Sequence, residues 1–254
     1  MKIAVCLKPV PATDTRVKVA ADGKHLDPAG VSVVINPYDE FALEAALQLK
    51  EKGGEGEVVL VTVGPQNFQT TIRNGLAMGA DRAVLLTTTG DADLLQVARA
   101  LAAELKDGAY DLILCGKQAV DDDASQVAPM VAEFLALPCV TVVAQLAIDG
   151  NVAPGTKAHA HREIEGGVEE VEFTLPAVVA AQKGLNEPRY PSLKGIMAAK
   201  KKVIDERPAQ LGEPALEVLA LTLPPARGAG KIVGEGVAAV PELVRLLREE
   251  AKVI

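Results

Sequence analysis

The residues best placed to do chemistry lie along Cys115-Gly116-Lys117-Gln118 and the run after it, Ala119-Val120-Asp121-Asp122-Asp123-Ala124-Ser125-Gln126. Tyr110 to Cys115 is apolar and reads as a buried parallel strand that delivers Gly116-Lys117-Gln118 at its carboxyl end. The neighbouring strand ends would carry Cys6 with Lys8, and Val63 with Gly64. Nucleotides bind beyond such ends, where strand order switches. Asp123 and Gln126 have capping-box spacing, which predicts a helix whose first-turn amides face the sheet edge and suit a phosphate. Adjacent carboxylates repel phosphate. The expected division therefore gives the phosphate to backbone amides, Ser125 and Gln126, and leaves an aspartate to cap the helix or bind ribose hydroxyls. Spacing alone leaves a plainer reading equally open, in which Asp121 to Asp123 are an acidic helix start that satisfies the dipole. Pro129 would cost a helix begun at Asp123 an internal hydrogen bond, so either the helix starts later or its first turns are irregular.

Other chemistries find no foothold. The chain has no G-x-x-x-x-G-K-[ST], no G-x-G-x-x-G after its first strand, no G-x-S-x-G and no H-E-x-x-H. His159 and His161 share a strand face without a third ligand nearby, so no metal site is expected. Lys200-Lys201-Lys202 reads as a solvated face. Of the three cysteines, Cys6 and Cys115 lie in apolar runs and read as buried reduced thiols, and no C-x-x-C is present. A net charge of −8 and an aromatic content of 3% argue against nucleic acid as a partner. No apolar run approaches the ~20 residues of a membrane span, and Met1 to Val5 reads as a strand and not as a signal peptide. The expectation is a protein of the cytoplasm, or of an equivalent reducing compartment, without membrane insertion.

The elements needed to position that site are legible in order. Lys2 to Lys8, Val58 to Val63, Arg82 to Leu86 and Tyr110 to Cys115 read as buried strands. They alternate with helices: one opened by Asn36 as N-cap and Pro37 at N1, one over Phe68 to Met78, and one marked by Leu94, Val97, Leu101 and Leu105. This is the pattern of βαβ units and a parallel sheet. Short β segments are expected near Val17 and over Val31 to Ile35. From Val140 the style changes. Val140 to Ile148, Val152 to Ile164 and Val168 to Leu175 read as antiparallel strands, followed by a strand over Ala177 to Ala181. An irregular stretch from Gly184 to Ser192 leads to a short helix ending at Lys200 to Lys202, then a strand near Leu216 to Leu223. A glycine-rich link over Gly228 to Gly236 precedes an amphipathic helix, Glu242 to Lys252, that reads as an arm. The organisation expected is an α/β domain over 1–227 and a C-terminal arm over 228–254.

Leu185-Asn186-Glu187-Pro188-Arg189-Tyr190, with Leu193, Ile196-Met197 and Ala199 to Lys202, resembles the signature loop of electron-transfer flavoprotein β (small) subunits. Gly116 to Ala119 with Asp121-Asp122-Asp123 and Gln126 resembles the same family, as do Lys8-Pro9-Val10, Asn36-Pro37 and Met78 to Arg82. The likeness runs from the first strand to the terminal helix. It implies an open, parallel, adenine nucleotide hydrolase-like sheet with an antiparallel addition and a helical arm that docks on a larger α subunit. By position, it implies an AMP pocket of Cys6, Asn36, Pro37, Tyr38, Asp39, Val63, Ala119, Val120, Asp121, Asp122, Asp123, Ala124, Ser125, Gln126, Val127, Ala128, Pro129 and Met130. FAD is expected mainly in the α subunit. Flavin-bifurcating relatives hold a second FAD in place of AMP and typically show glycine at the middle of the acidic triplet. Asp122 stands there, which favours the AMP class.

The resemblance further implies an electron carrier without catalytic residues, linking flavin dehydrogenases such as acyl-CoA dehydrogenases to a quinone oxidoreductase. Leu193 is the implied anchor on the dehydrogenase, in a recognition segment with Pro191, Ile196 and Met197. The i, i+3, i+4 spacing of Leu193, Ile196 and Met197 inclines the last two towards this subunit's own core. A stand-alone adenine-nucleotide-binding regulator of universal-stress type shares the sheet logic, but needs neither the Asn186 to Lys202 loop nor the arm.

Overall fold

The computed structural model describes residues 1–226 and 228–254. Its centre is a nine-stranded sheet built from β1 (Lys2–Cys6), β4 (Glu57–Gly64), β5 (Arg82–Thr87), β6 (Leu112–Gly116), β7 (Cys139–Ile148), β8 (Lys157–Ile164), β9 (Gly167–Thr174), β10 (Val178–Ala181) and β11 (Ile204–Pro208). The order across it is β11-β5-β4-β1-β6-β10-β7-β8-β9. The strands from β11 through β7 are parallel, while β8 and β9 extend the sheet antiparallel. A separate antiparallel pair joins β2 (Pro9–Pro11) to β3 (Val33–Ile35).

Apolar residues on both faces of each central strand force helices onto both sides. On one side Ile3, Val5, Leu60 and Leu114 pack against α1 (Pro37–Gly53) and α2 (Gln69–Met78). On the other, Ala4, Cys6, Val59, Val61, Ile113 and Cys115 pack against α3 (Leu94–Lys106) and α4 (Val127–Leu135). The remaining helices are α5 (Leu193–Ala199) and α6 (Val240–Glu249). The chain runs β1 to β4 to β5 on one side, then crosses back to lay β6 on the other side of β1. That reversal places the switch point between the carboxyl ends of β1 and β6.

Several expectations are corrected. The strand expected over Val140 to Ile148 is only half antiparallel. Its start pairs parallel with β10, and its end pairs antiparallel with β8. Val142, at φ 60°, sits in the bulge where the register shifts. The segment Leu216 to Leu223 forms no strand, because its amides are used elsewhere: Ala215 and Leu216 donate to Asp93 Oδ2, and Leu221 donates to the Gly23 carbonyl. Near Val17 only a single bridge, Val19 to Leu26, is present. The strand expected from Val152 begins at Lys157, and β11 went unforeseen. Lys202 is not a solvated charge: its ammonium reaches the carbonyls of Leu76 and Ala80 at the end of α2, and burial pushes its pKa down.

Candidate functional site

A cleft of about 560 Å³ opens at the switch point. Asn36 and Asp39, at the start of α1, hold its two sides together. Asp39 is 5% exposed, and its carboxylate accepts from the Lys8 amide after β1 (2.7 Å), the Gly116 amide at the end of β6 (2.9 Å) and Asn36 Nδ2 (3.0 Å). One side chain thus ties the two strand ends flanking the crevice. Gly116 has to lack a side chain, since a Cβ would lie 2.4 Å from Asp39 Oδ1 and 2.6 Å from Tyr38 Cβ. Asn36 occupies the N-cap position of α1 with Pro37 behind it, yet its side chain makes no cap bond. It instead donates to the Gln118 carbonyl (2.8 Å) and accepts from the Val120 amide (3.2 Å), fastening the loop that follows β6.

That loop does not begin a helix at Asp123. Asp123 (φ 50°) and Ser125 (φ 55°) both take left-handed backbone, and α4 starts at Val127 with Gln126 at the N-cap position and no side-chain cap. Asp123 therefore caps nothing. It accepts from Gln118 Nε2 (2.5 Å), and Ser125 Oγ donates to Gln118 Oε1 (3.3 Å). Each left-handed non-glycine costs about 1 kcal/mol or more, and such strain gathers at ligand clamps. With the helix starting late, Pro129 falls in its first turn, where no internal hydrogen bond is lost. The uncapped amino end of α4, through Gln126, Val127 and Ala128, lines the cleft.

Of the other residues implied for the pocket, Cys6, Asn36, Asp39, Val63, Ala119, Asp122, Ala124 and Ser125 also line the cleft. Pro37, Tyr38, Val120, Asp121, Asp123, Pro129 and Met130 are not among the residues that line it. Lys117 Nζ lies 5.3 Å from the centre of the Tyr38 ring. Lys8 bridges to Asp121 (2.7 Å) and Asp122 (2.8 Å); burial works to lower its pKa, but the two aspartates outweigh burial and hold it above the ordinary value. The acidic triplet is thereby partly neutralised, which removes some of its repulsion towards an anion.

The opposite wall was not anticipated. Phe68, Leu94, Val97, Leu216 and Val218 give it an apolar surface. Asp93 closes it as the N-cap of α3, in a full capping box with Gln96, while its other oxygen takes the amides of Ala215 and Leu216. The Asp93-x-x-Gln96 spacing was the available signal for the cap. No local pattern announces that Leu216 and Val218 fold back over the cleft.

Burial pushes Asp39 up to about 7 from its ordinary 3.8, with the Lys8 amide, Asn36 and the Gly116 amide opposing it. A pKa raised by folding gives stability that is complete below the unfolded value and is lost as pH rises through the folded one. Wild-type stability should therefore fall between about pH 4 and pH 7 relative to Asp39→Asn, which lacks this titration. Thermal melts across that window test the point. Parallel curves for the two proteins would show that Asp39 stays ionised throughout.

The recognition segment forms α5 and its approach. Ser192 caps α5 through a bond from the Gly195 amide (3.0 Å), and Arg73 closes its far end on the carbonyls of Ala199 and Lys202. A Cβ on Gly195 would lie 2.3 Å from the Ala77 carbonyl, so α5 packs tightly on α2. Leu193 is 84% exposed. The core placement expected for Ile196 and Met197 is overturned, since they are 44% and 63% exposed. Only Ala199 of α5 is buried, because a helix of two turns presents a single face to α2. Pro191 is half-buried, and Tyr190 ahead of it is 94% exposed.

Sheet order, layers and cleft define the class: an open, doubly wound α/β protein with a cleft at the topological switch point. Comparison with known proteins narrows this. Residues 25–211 match the family model described as the electron transfer flavoprotein domain. The electron transfer flavoprotein subunit beta of Bacillus subtilis (strain 168) is 44% identical over 252 residues, covering 95% of this chain and 96% of the relative. That of Bradyrhizobium diazoefficiens is 42% identical over the full length of both chains, and the human one is 41% identical over 91% of each. The chain belongs to the electron transfer flavoprotein family, as a β subunit. Its role is accordingly in electron transfer. Among the described residues no helix is long and apolar enough to cross a membrane.

Proposed function

We propose that this chain is the AMP-binding half of an αβ electron carrier that takes electrons from flavin dehydrogenases, such as acyl-CoA dehydrogenases, and passes them to a quinone oxidoreductase in the cytoplasm. The carrying observation is the uncapped amino end of α4 facing a switch-point cleft. Free first-turn amides and the helix dipole suit one phosphate. The volume lies within the ~300–1,000 Å³ of small-ligand sites. In this reading the amides at Gln126 to Ala128 and the Ser125 hydroxyl hold the phosphate, Lys8 and Asp122 shape the mouth, and the apolar wall of Phe68, Val97 and Leu216 takes the base. FAD, held mainly by the α subunit, supplies the redox chemistry when bound. This chain walls the flavin cleft, docks on α through the arm carrying α6, and turns over no substrate itself.

The arm offers apolar surface for that docking, with Val240, Leu243 and Val244 at 50%, 44% and 36% exposure. Asp122, ion-paired across the mouth by Lys8, supports AMP over a second flavin, whose diphosphate would meet that carboxylate. Denaturing the purified heterodimer and chromatographing the released nucleotides should give about one AMP and one FAD per αβ pair. Two FAD with no AMP would overturn the assignment.

A further inference from the structure

Cys6 ends β1 and Cys115 lies near the end of β6, and these strands are parallel neighbours. Their register pairs Ile3 with Leu112, Ala4 with Ile113 and Val5 with Leu114, so the next step sets Cys6 beside Cys115. Both side chains point to the same face, in the cluster with Ala4 and Ile113. They are 7% and 5% exposed, and both line the cleft. Neighbouring strands are spaced ~4.8 Å apart, within the ~4.4–6.8 Å that a disulfide spans between Cα atoms. Cys139, the remaining cysteine, is exposed at the start of β7.

We infer that Cys6 and Cys115 form a dithiol at the floor of the cleft that hydrogen peroxide entering through the cleft converts reversibly to a disulfide. One thiol, as its thiolate, attacks the peroxide and breaks the O–O bond, releasing water and leaving a sulfenic acid. The second sulfur then attacks the first and expels the hydroxyl as a second water. Two thiols and one hydrogen peroxide thus become one disulfide and two waters, with two electrons passing to the peroxide. The product is uncharged, which suits a buried place beside Asp39. The same surroundings slow the first step. The adjacent Cys6 thiol, burial and the Asp39 carboxylate push the Cys115 thiol well above its ordinary value, and it is the thiolate that attacks. A site of this kind responds to sustained oxidation and not to brief exposure. Side chains at one register stand parallel and do not converge, so closure strains the strand ends, and strained disulfides are the readily reduced ones.

The inference stands on strand register and does not depend on which nucleotide the cleft takes. Its test uses the full-length Cys139→Ser chain, which leaves only the paired cysteines. In folded protein a bulky maleimide should label neither. Hydrogen peroxide should remove both free thiols together and yield a peptide bearing Cys6 joined to one bearing Cys115, which dithiothreitol releases. Cys6→Ala in the same background should abolish the linked peptide and leave Cys115 free or over-oxidised. If peroxide produces no linked peptide in the folded chain while the denatured chain forms it readily, the pair is not a dithiol site and the inference fails.

Discussion

Arg189→Ala is expected to cost about 2 kcal/mol of stability, above the ~0–1 kcal/mol of an exposed pair and below the ~3–5 kcal/mol of a fully buried one, because the guanidinium is 34% exposed while its partner Glu44 is buried. Glu44, within α1, is 3% exposed. Its carboxylate accepts from Arg189 Nε (2.8 Å), Arg189 Nη2 (2.9 Å), the Arg189 main-chain amide (3.2 Å) and Gln48 Nε2 (2.9 Å). Without the guanidinium, a buried negative charge keeps only neutral donors. Glu51, two turns further along the same face of α1, also bonds Arg189 but is exposed, so Glu51→Ala should cost no more than ~1 kcal/mol. Denaturant midpoints of the two variants separate these roles. The double variant Arg189→Ala, Glu44→Leu should recover much of the loss, because it removes the stranded charge along with its partner. An Arg189→Ala chain within about 1 kcal/mol of wild type would show that Glu44 relaxes to water and that the loop over residues 184–192 is held by other contacts.

What could be read in advance divides along physical lines. The apolar runs of β1, β4 and β6 are buried on both faces, so a short window of sequence announces them, and the switch-point cleft follows from their ends. Asn36-Pro37 marks the start of α1 for the same local reason. Failures occur where a distant partner outbids a local rule. Asp123 and Gln126 have the spacing of a capping box, but Gln118 takes the Asp123 carboxylate and the backbone turns left-handed there, so the helix waits until Val127. Lys202 sits in a run of lysines that looks solvated, yet the end of α2 offers it two carbonyls. The parallel start of β7 depends on β10, which follows an intervening hairpin in the chain, so nothing near Val140 reveals it. The cleft wall formed by Leu216 and Val218 is likewise a product of long-range capping at Asp93.

Truncating Leu193 should lower coupling to an acyl-CoA dehydrogenase at least tenfold while leaving the folded state nearly untouched. The side chain is 84% exposed at the first position of α5, so almost none of its surface is lost from a core when it becomes alanine. An exposed leucine is usually unremarkable, and its neighbours decide the case. Tyr190, Ile196 and Met197 are exposed beside it in sequence, which concentrates large apolar side chains on one short segment. The segment is also rigidly mounted. Ser192 caps α5, Arg73 holds its end, Gly195 presses against the Ala77 carbonyl, and Arg189 pins the approach. A rigid apolar anchor pays little conformational entropy on docking, and loss of such a hot spot costs ~2 kcal/mol or more. At ~1.4 kcal/mol per decade this exceeds a factor of ten. The measurement is reduction of the reconstituted αβ complex by the dehydrogenase, read beside flavin content and melting temperature. Met197→Ala, further along the same helix, should show a smaller loss. Normal coupling in Leu193→Ala would remove this segment from the docking surface, and a markedly lower melting temperature or lost flavin would reassign Leu193 to the interior of the αβ complex.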